Sequence, residues 1–275
     1  MRYFLASIVI LSSAGFAVAG PYSVPAGQAG STAIAANSPS IVGWATGSSS
    51  FVPGPQNITA PAGPLASFGV AANALGPADA SGANPNSIVS LGDGGQITLS
   101  FAKAITNGPG ADFAVFENSF ADNFLEVAFV EVSTNGNDFV RLPAISLTPT
   151  AAQVASFGTI DSTNLYNLAG SFRAGFGTPF DLSDVAGMSP AVDVAHINFV
   201  RVIDVIGSIN PAFATLDSLG NPVNDPYPTA FASGGFDLDA VGVINAVPEP
   251  STLALAGLAA AICLLRRRRG RSRSR

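Results

Sequence analysis

FLEVAFVEVSTNGNDFVRL, residues 124–142, is the stretch on which the fold turns. Phe124 to Ser133 is dense in aromatic and β-branched side chains, which suit a pleated, half-buried surface better than a helix. Asn135-Gly136 follows, the dipeptide favoured in tight hairpins because both residues tolerate positive φ. Phe139 to Leu142 then returns as the partner strand. The pattern predicts an antiparallel sheet, and because a lone hairpin is only marginally stable in water, further strands must flank it.

Candidates stand on both sides. Upstream, Ile41 to Thr46 reads as a short strand before a Pro53-Gly54-Pro55 turn, Gln96 to Phe101 alternates polar and apolar residues, and Asp112 to Glu117 follows an Asn107-Gly108 turn. Downstream, His196 to Val205 and Phe236 to Ile244 are apolar strands, and Thr150 to Phe157 is expected to form a short helix. No heptad, long amphipathic helix or internal repeat is visible. The 275 residues include 29 Gly and 20 Pro, a turn-rich composition, and 48% are hydrophobic, enough for a folded core. Phe occurs 19 times against one Trp and four Tyr, so the core is expected to be built on phenylalanine. Together these features predict an all-β fold, an antiparallel β-sandwich of jelly-roll kind.

The two ends read differently from this body. Met1 and Arg2, the apolar stretch Tyr3 to Ala14, and the small residues Ala17 and Ala19 have the order of a secretory signal peptide, with cleavage expected after Ala19 and the Sec export machinery as partner. The one cysteine, Cys263, lies far downstream, so no disulfide staples the exported body. At the other end, Ser251 to Leu265 are uncharged. As a helix they would reach about 22 Å, short of a hydrocarbon layer of about 30 Å, so snorkelling arginines or local thinning would have to close the gap. Arg266, Arg267, Arg268 and Arg269 follow as the cytoplasmic stop. Hence three segments: a signal peptide at 1–19, a body at 20–246 (loop-rich at 20–85, main strands at 86–246), and a sorting and anchoring tail at 247–275.

Charge sharpens this division. Seven of the twelve basic residues lie in the last ten positions, while residues 20–247 hold seventeen Asp and Glu against Lys103, Arg141, Arg173 and Arg201. Such a body repels nucleic acid and anionic headgroups and suits hard divalent cations. A nucleic-acid role for the arginine tail is set aside, because phosphate binding needs no abutting apolar helix.

Val247-Pro248-Glu249-Pro250, a short apolar helix and a terminal arginine cluster, in that order, resemble the PEP-CTERM sorting signal. The resemblance implies an exosortase as the processing protease. Prolines on either side of Glu249 oppose both helix and central strand, which leaves an extended peptide of the kind a protease needs.

A second resemblance covers roughly residues 41–246. Ala74-Leu75-Gly76-Pro77, Ser90-Leu91-Gly92 with Gly94 to Leu99, Asn107-Gly108 with Asp112 to Asn118, and Gly235 to Val241 are similar to bacterial cell-surface β domains of galactose-binding-like type. This implies a fold and carries no catalytic residues.

Chemistry in the body is constrained by what is missing. His196 is the only histidine, and its expected role is structural, paired with a neighbouring carboxylate or the strand end. No Gly-x-Ser-x-Gly elbow occurs; Gly187-Met188-Ser189-Pro190-Ala191 comes nearest. One histidine and no body cysteine make a poor zinc site. Calcium is a candidate use of the acids: Asp237 and Asp239, two apart in a strand, share a face, and Glu117 and Asn118 end another strand that can converge on them. No EF-hand loop is present, and the reading favoured over calcium is that Asp237 and Asp239 face water or pair with Arg201. The expected function is that of a non-catalytic surface or matrix protein with exopolysaccharide as ligand class. The competing readings are a secreted carbohydrate-active hydrolase using two carboxylates, and a permanently anchored membrane protein.

Overall fold

The computed structural model describes residues 20–81, 84 and 86–248. The expected signal peptide, the helix at 251–265, Glu249, Pro250 and the arginine stop lie outside these residues. Among the described residues no helix is long and apolar enough to cross a membrane.

Among the described residues twelve strands form in chain order: β1 Ile34–Ala35, β2 Gly43–Val52, β3 Val89–Ser90, β4 Gln96–Ile105, β5 Phe113–Glu117, β6 Ala128–Ser133, β7 Val140–Arg141, β8 Ile145–Ser146, β9 Leu165–Tyr166, β10 Phe176–Phe180, β11 Ile197–Asp204 and β12 Asp237–Val243. Nine of them run side by side as β1-β10-β5-β12-β2-β4-β11-β6-β7; β3 adds to β12, and β8 pairs with β9 separately. Every pairing is antiparallel.

The sheet curls at β2. Its first residues pair with β12 (Gly43 with Val243, Trp44 with Gly242), while the rest pairs with β4 through two register shifts. Bulges of this kind bend and twist a strand, which lets it pass from one layer to the other. The layers close on a core of Phe113, Val115, Phe180, Leu238 and Val241 from one side and Ile97, Leu99, Val130, Val132, Val200 and Val202 from the other. The result is a β-sandwich. Alternation explains β5: Phe113 and Val115 face this core, while Ala114 and Phe116 pack outward with Ala240 against Trp44, Ile34 and Ile41. Phe113, Phe116, Phe129, Phe180 and Phe236 are fully buried. Each contributes about 2–3 kcal/mol by removal from water.

Several expectations shift. The quoted stretch forms strand only from Ala128, because Leu125 and Val127 turn into a second apolar cluster with Phe129, Ile160, Leu168 and Val223. Its turn is also wider than a two-residue hairpin: Glu131 pairs with Arg141 and Val132 with Val140. Asn135 Oδ1 accepts from the backbone N–H of Asn137 (2.9 Å) and Asp138 (2.9 Å), and Gly136 takes φ +79°. No helix forms at 150–157. Instead Asn224 Oδ1 accepts from Val154 N (3.0 Å), and its Nδ2 donates to the carbonyls of Pro149 (2.7 Å) and Ala152 (2.8 Å), holding this backbone open. Short 3₁₀ turns occur at Ala71–Ala74, Ser162–Asn164 and Leu182–Val185.

The sheet reaches almost to the tail. Ile105 bridges Ala246, and Val247 N still donates to Ala104 O (2.9 Å).

Candidate functional site

Acids stand at both ends of the β5–β12 pair, Asp112 just before β5 and Glu117 with Asp237 at the opposite end. At one end Glu117 closes β5 opposite Leu238, next to Asp237, which opens β12. Ser119 donates to Glu117 Oε2 through its backbone N (2.7 Å) and its hydroxyl, and Ser90 Oγ donates to Asp237 Oδ1. The Asn118 side chain also bonds Asp237. Burial pushes Glu117 up to about 8, with the Asp237 charge adding to it, and pushes Asp237 up to about 7.

Three of the expected calcium residues, Glu117, Asn118 and Asp237, are thus together. Asp239 is not with them. The β5–β12 register shifts between Leu238 and Ala240, so Asp239 sits on a bulge and the two-residue spacing no longer fixes a common face. Its Oδ1 accepts from the N–H of Asp79 (3.2 Å) and Ala80 (3.3 Å). The alternative expectation also fails: Asp237 is 8% and Asp239 1% exposed, and Arg201 pairs with Glu131 (3.1 Å).

Three acids that strand spacing did not single out join Glu117 and Asp237. Asp204 ends β11 opposite Ala128, and its Oδ1 accepts from Phe236 N (2.6 Å), the residue before Asp237. That approach needs Gly235, whose φ is +73° and where a Cβ would lie 2.7 Å from Asp204 Oδ1. Asp225 Oδ2 accepts from Val127 N (3.0 Å), the residue after Glu126. Burial holds Asp204 and Asp225 well above the usual carboxylate range; burial does the same for Glu126, reinforced by the charges of Asp237, Glu117, Asp225 and Asp204. Asp225 Oδ1 is buried without a hydrogen-bond partner. The signal for Asp204 was present in the sequence: it continues the buried parity of Val200 and Val202 along β11.

Aromatics stand on the neighbouring loops, with Phe120, Phe157 and Phe231 exposed and Phe124 half-buried. Phe120, Phe124, Phe157 and Phe231 form a row with ring centroids 5.7, 6.3 and 5.8 Å apart.

A cleft of about 660 Å³ lies elsewhere, lined by Tyr22, Thr32, Tyr166, Thr178, Asp181 and Asp184 among others. The Tyr22 and Tyr166 rings are 5.4 Å apart. Asp184 Oδ2 accepts from Tyr166 Oη (3.2 Å) and Asn167 Nδ2 (2.7 Å). Burial, and then the neighbouring Asp184 carboxylate, raise the Tyr166 hydroxyl above its ordinary value. Tyr22 is held there because Tyr22 N donates to Thr163 O (3.0 Å) and Gly20 N to Thr163 Oγ1 (2.7 Å). His196 is far simpler: an exposed ring whose Nδ1 bonds Asp193 Oδ2 (2.8 Å).

The sheet that supports both sites ends at Val247, where the Val-Pro-Glu-Pro stretch begins, and a family model described as the PEP-CTERM protein-sorting motif matches residues 246–269. The tail is a PEP-CTERM motif. PEP-CTERM implies an exported protein, anchored transiently at the membrane and then processed by an exosortase. No curated protein matches the chain.

Proposed function

We propose that the protein is an exported, non-catalytic surface or matrix β-sandwich that grips a polysaccharide chain in the tyrosine-lined cleft. The observation that carries this reading is the pairing of Tyr22 and Tyr166 beside Asp184, whose carboxylate is fixed by Asn167. Sugar rings are recognised by apolar contact of their C–H faces with aromatic rings and by a few oriented polar groups, and a cleft of this size fits that class of ligand. The PEP-CTERM tail supports delivery to the outside, where polysaccharide is encountered. The acidic body disfavours polyanionic chains, so a neutral glycan is expected.

Affinity electrophoresis against neutral and anionic polysaccharides tests this. Retardation by a neutral polymer should weaken about tenfold in Tyr166→Ala, a loss of about 1.4 kcal/mol. Equal retardation of wild type and variant would move binding out of the cleft. Release of reducing sugar, abolished by Asp184→Asn, would replace the non-catalytic reading with the hydrolase one. Intact mass separates sorting from permanent anchoring: the processed protein should lack the arginine tail.

A further inference from the structure

The acids at the Glu117 end of the β5–β12 pair are unusual in what faces them. Glu117, Asp204, Asp225 and Asp237 are all buried, and Glu126 is half-buried. Backbone contacts fix their proximity: Leu238 pairs with Glu117, Phe236 N bonds Asp204, Ala128 pairs with Asp204, and Val127 N bonds Asp225. The arginine and histidine ion pairs of the described residues are spent elsewhere, Arg141 and Arg201 on Glu131, Arg173 on Asp122 and His196 on Asp193. Placing several carboxylates in a low-dielectric interior without a counter-charge is strongly unfavourable, so either protons or a cation must neutralise them.

The members are not equivalent. Asp204 has both oxygens engaged, Oδ1 by Phe236 N and Oδ2 by Gly94 N (2.9 Å), so it contributes field rather than a ligand. Asp93 adds to that field. Asp225 is the opposite case: it is 3% exposed, Oδ2 is held by Val127 N, and Oδ1 has nothing to bond within a group of like charges. A buried, unpartnered lone pair that feels the charges of Asp204 and Glu117 is what a cation satisfies and a further acid does not.

We propose that Glu117, Glu126, Asp225 and Asp237, with Asn118, bind one calcium ion that clips the 118–127 and 205–236 loops to the end of the sheet. The donors are all oxygen, which selects a hard cation, and calcium tolerates the irregular geometry that loops provide better than magnesium does. Among the described residues no three acid, histidine or cysteine side chains are already drawn into ligand positions. Binding therefore includes an inward rotation of side chains, and half-buried Glu126 is the entry. The raised carboxyls oppose binding at low pH, because calcium must displace protons.

The test is thermal unfolding of the full-length chain in detergent, in chelator and then with about 10 mM calcium chloride, a concentration that saturates extracellular calcium modules. At about pH 8 calcium should raise the midpoint by about 5–10 °C. At about pH 5 the shift should nearly vanish, since protons then occupy the carboxyls. Glu117→Gln with Asp225→Asn should abolish the calcium response without lowering the midpoint in chelator, and Asp239→Asn should retain it. Calorimetry should give one ion per chain. No calcium-dependent shift in the wild type at pH 8, or an equal shift in the double variant, overturns the proposal and leaves protons as the neutralising species.

Discussion

The two ends of the β5–β12 pair bury the same chemical group and use it in opposite ways. At the Asp112 end, one carboxylate is fully spent on the fold: Oδ1 accepts from Gly108 N (2.7 Å) and Asn245 Nδ2 (2.9 Å), and Oδ2 from Leu182 N (2.7 Å). It joins a turn, a 3₁₀ segment and the chain just beyond β12. At the Glu117 end, several buried carboxylates lie near enough to repel one another, and one oxygen of Asp225 accepts nothing. Burial of an acid is therefore not evidence for a site. What distinguishes the two ends is whether the fold supplies enough N–H donors to satisfy the oxygens.

The largest test of that contrast is Asp112→Ala. It removes the shared acceptor of three donors, and stability should fall by about 3–5 kcal/mol in urea unfolding. A loss below about 1 kcal/mol would show that water or rearrangement replaces the carboxylate and would erase the distinction. Next in size is the pH response in chelator. Glu117, Asp237 and Asp93 are raised to about 8, 7 and 6 from ordinary values of 4.5, 3.8 and 3.8, all chiefly by burial. Carboxyls raised on folding stabilise fully below their unfolded values and lose that contribution as pH rises through the folded ones. The stability measured by urea unfolding should therefore decline steadily from about pH 4 to about pH 8, by several kcal/mol. A flat profile would mean that the acids at this end are ionised and compensated by groups other than protons. Smallest is Asn135→Ala in the exposed hairpin, where two N–H groups lose their side-chain acceptor but gain water; about 1 kcal/mol is expected from urea unfolding.

Much of the sheet was legible because periodicity survives without context. β11 and β12 lie within one residue of the expected His196–Val205 and Phe236–Ile244. β10, FGTPF, was not legible: Gly177 and Pro179 argue against a strand, since proline has no N–H to give to a ladder. It is tolerated because β10 lies near the sheet edge, where β1 pairs only with Phe176 and Gly177 and stops short of Pro179. β2 was read as ending at Thr46, but its serine-rich second half continues to Val52 against β4. Strand spacing found Glu117 and Asp237, and the bulge at Asp239 was invisible to it. Glu126 and Asp225 escaped because the segments that carry them are not strands, and only the bond from Val127 N to Asp225 makes them neighbours.

The bond from Val247 N to Ala104 O has a mechanical consequence for maturation. It leaves Pro248 as the only residue between the last rung of the sheet and Glu249, so the folded mass has practically no leash. Cleavage at the Pro-Glu-Pro stretch would then fall flush against a bulky, negatively charged particle, and the released product would carry almost no stub. Lengthening that leash with a few flexible residues should speed cleavage if crowding by the particle sets the pace, a gain readable from the ratio of precursor to trimmed chains.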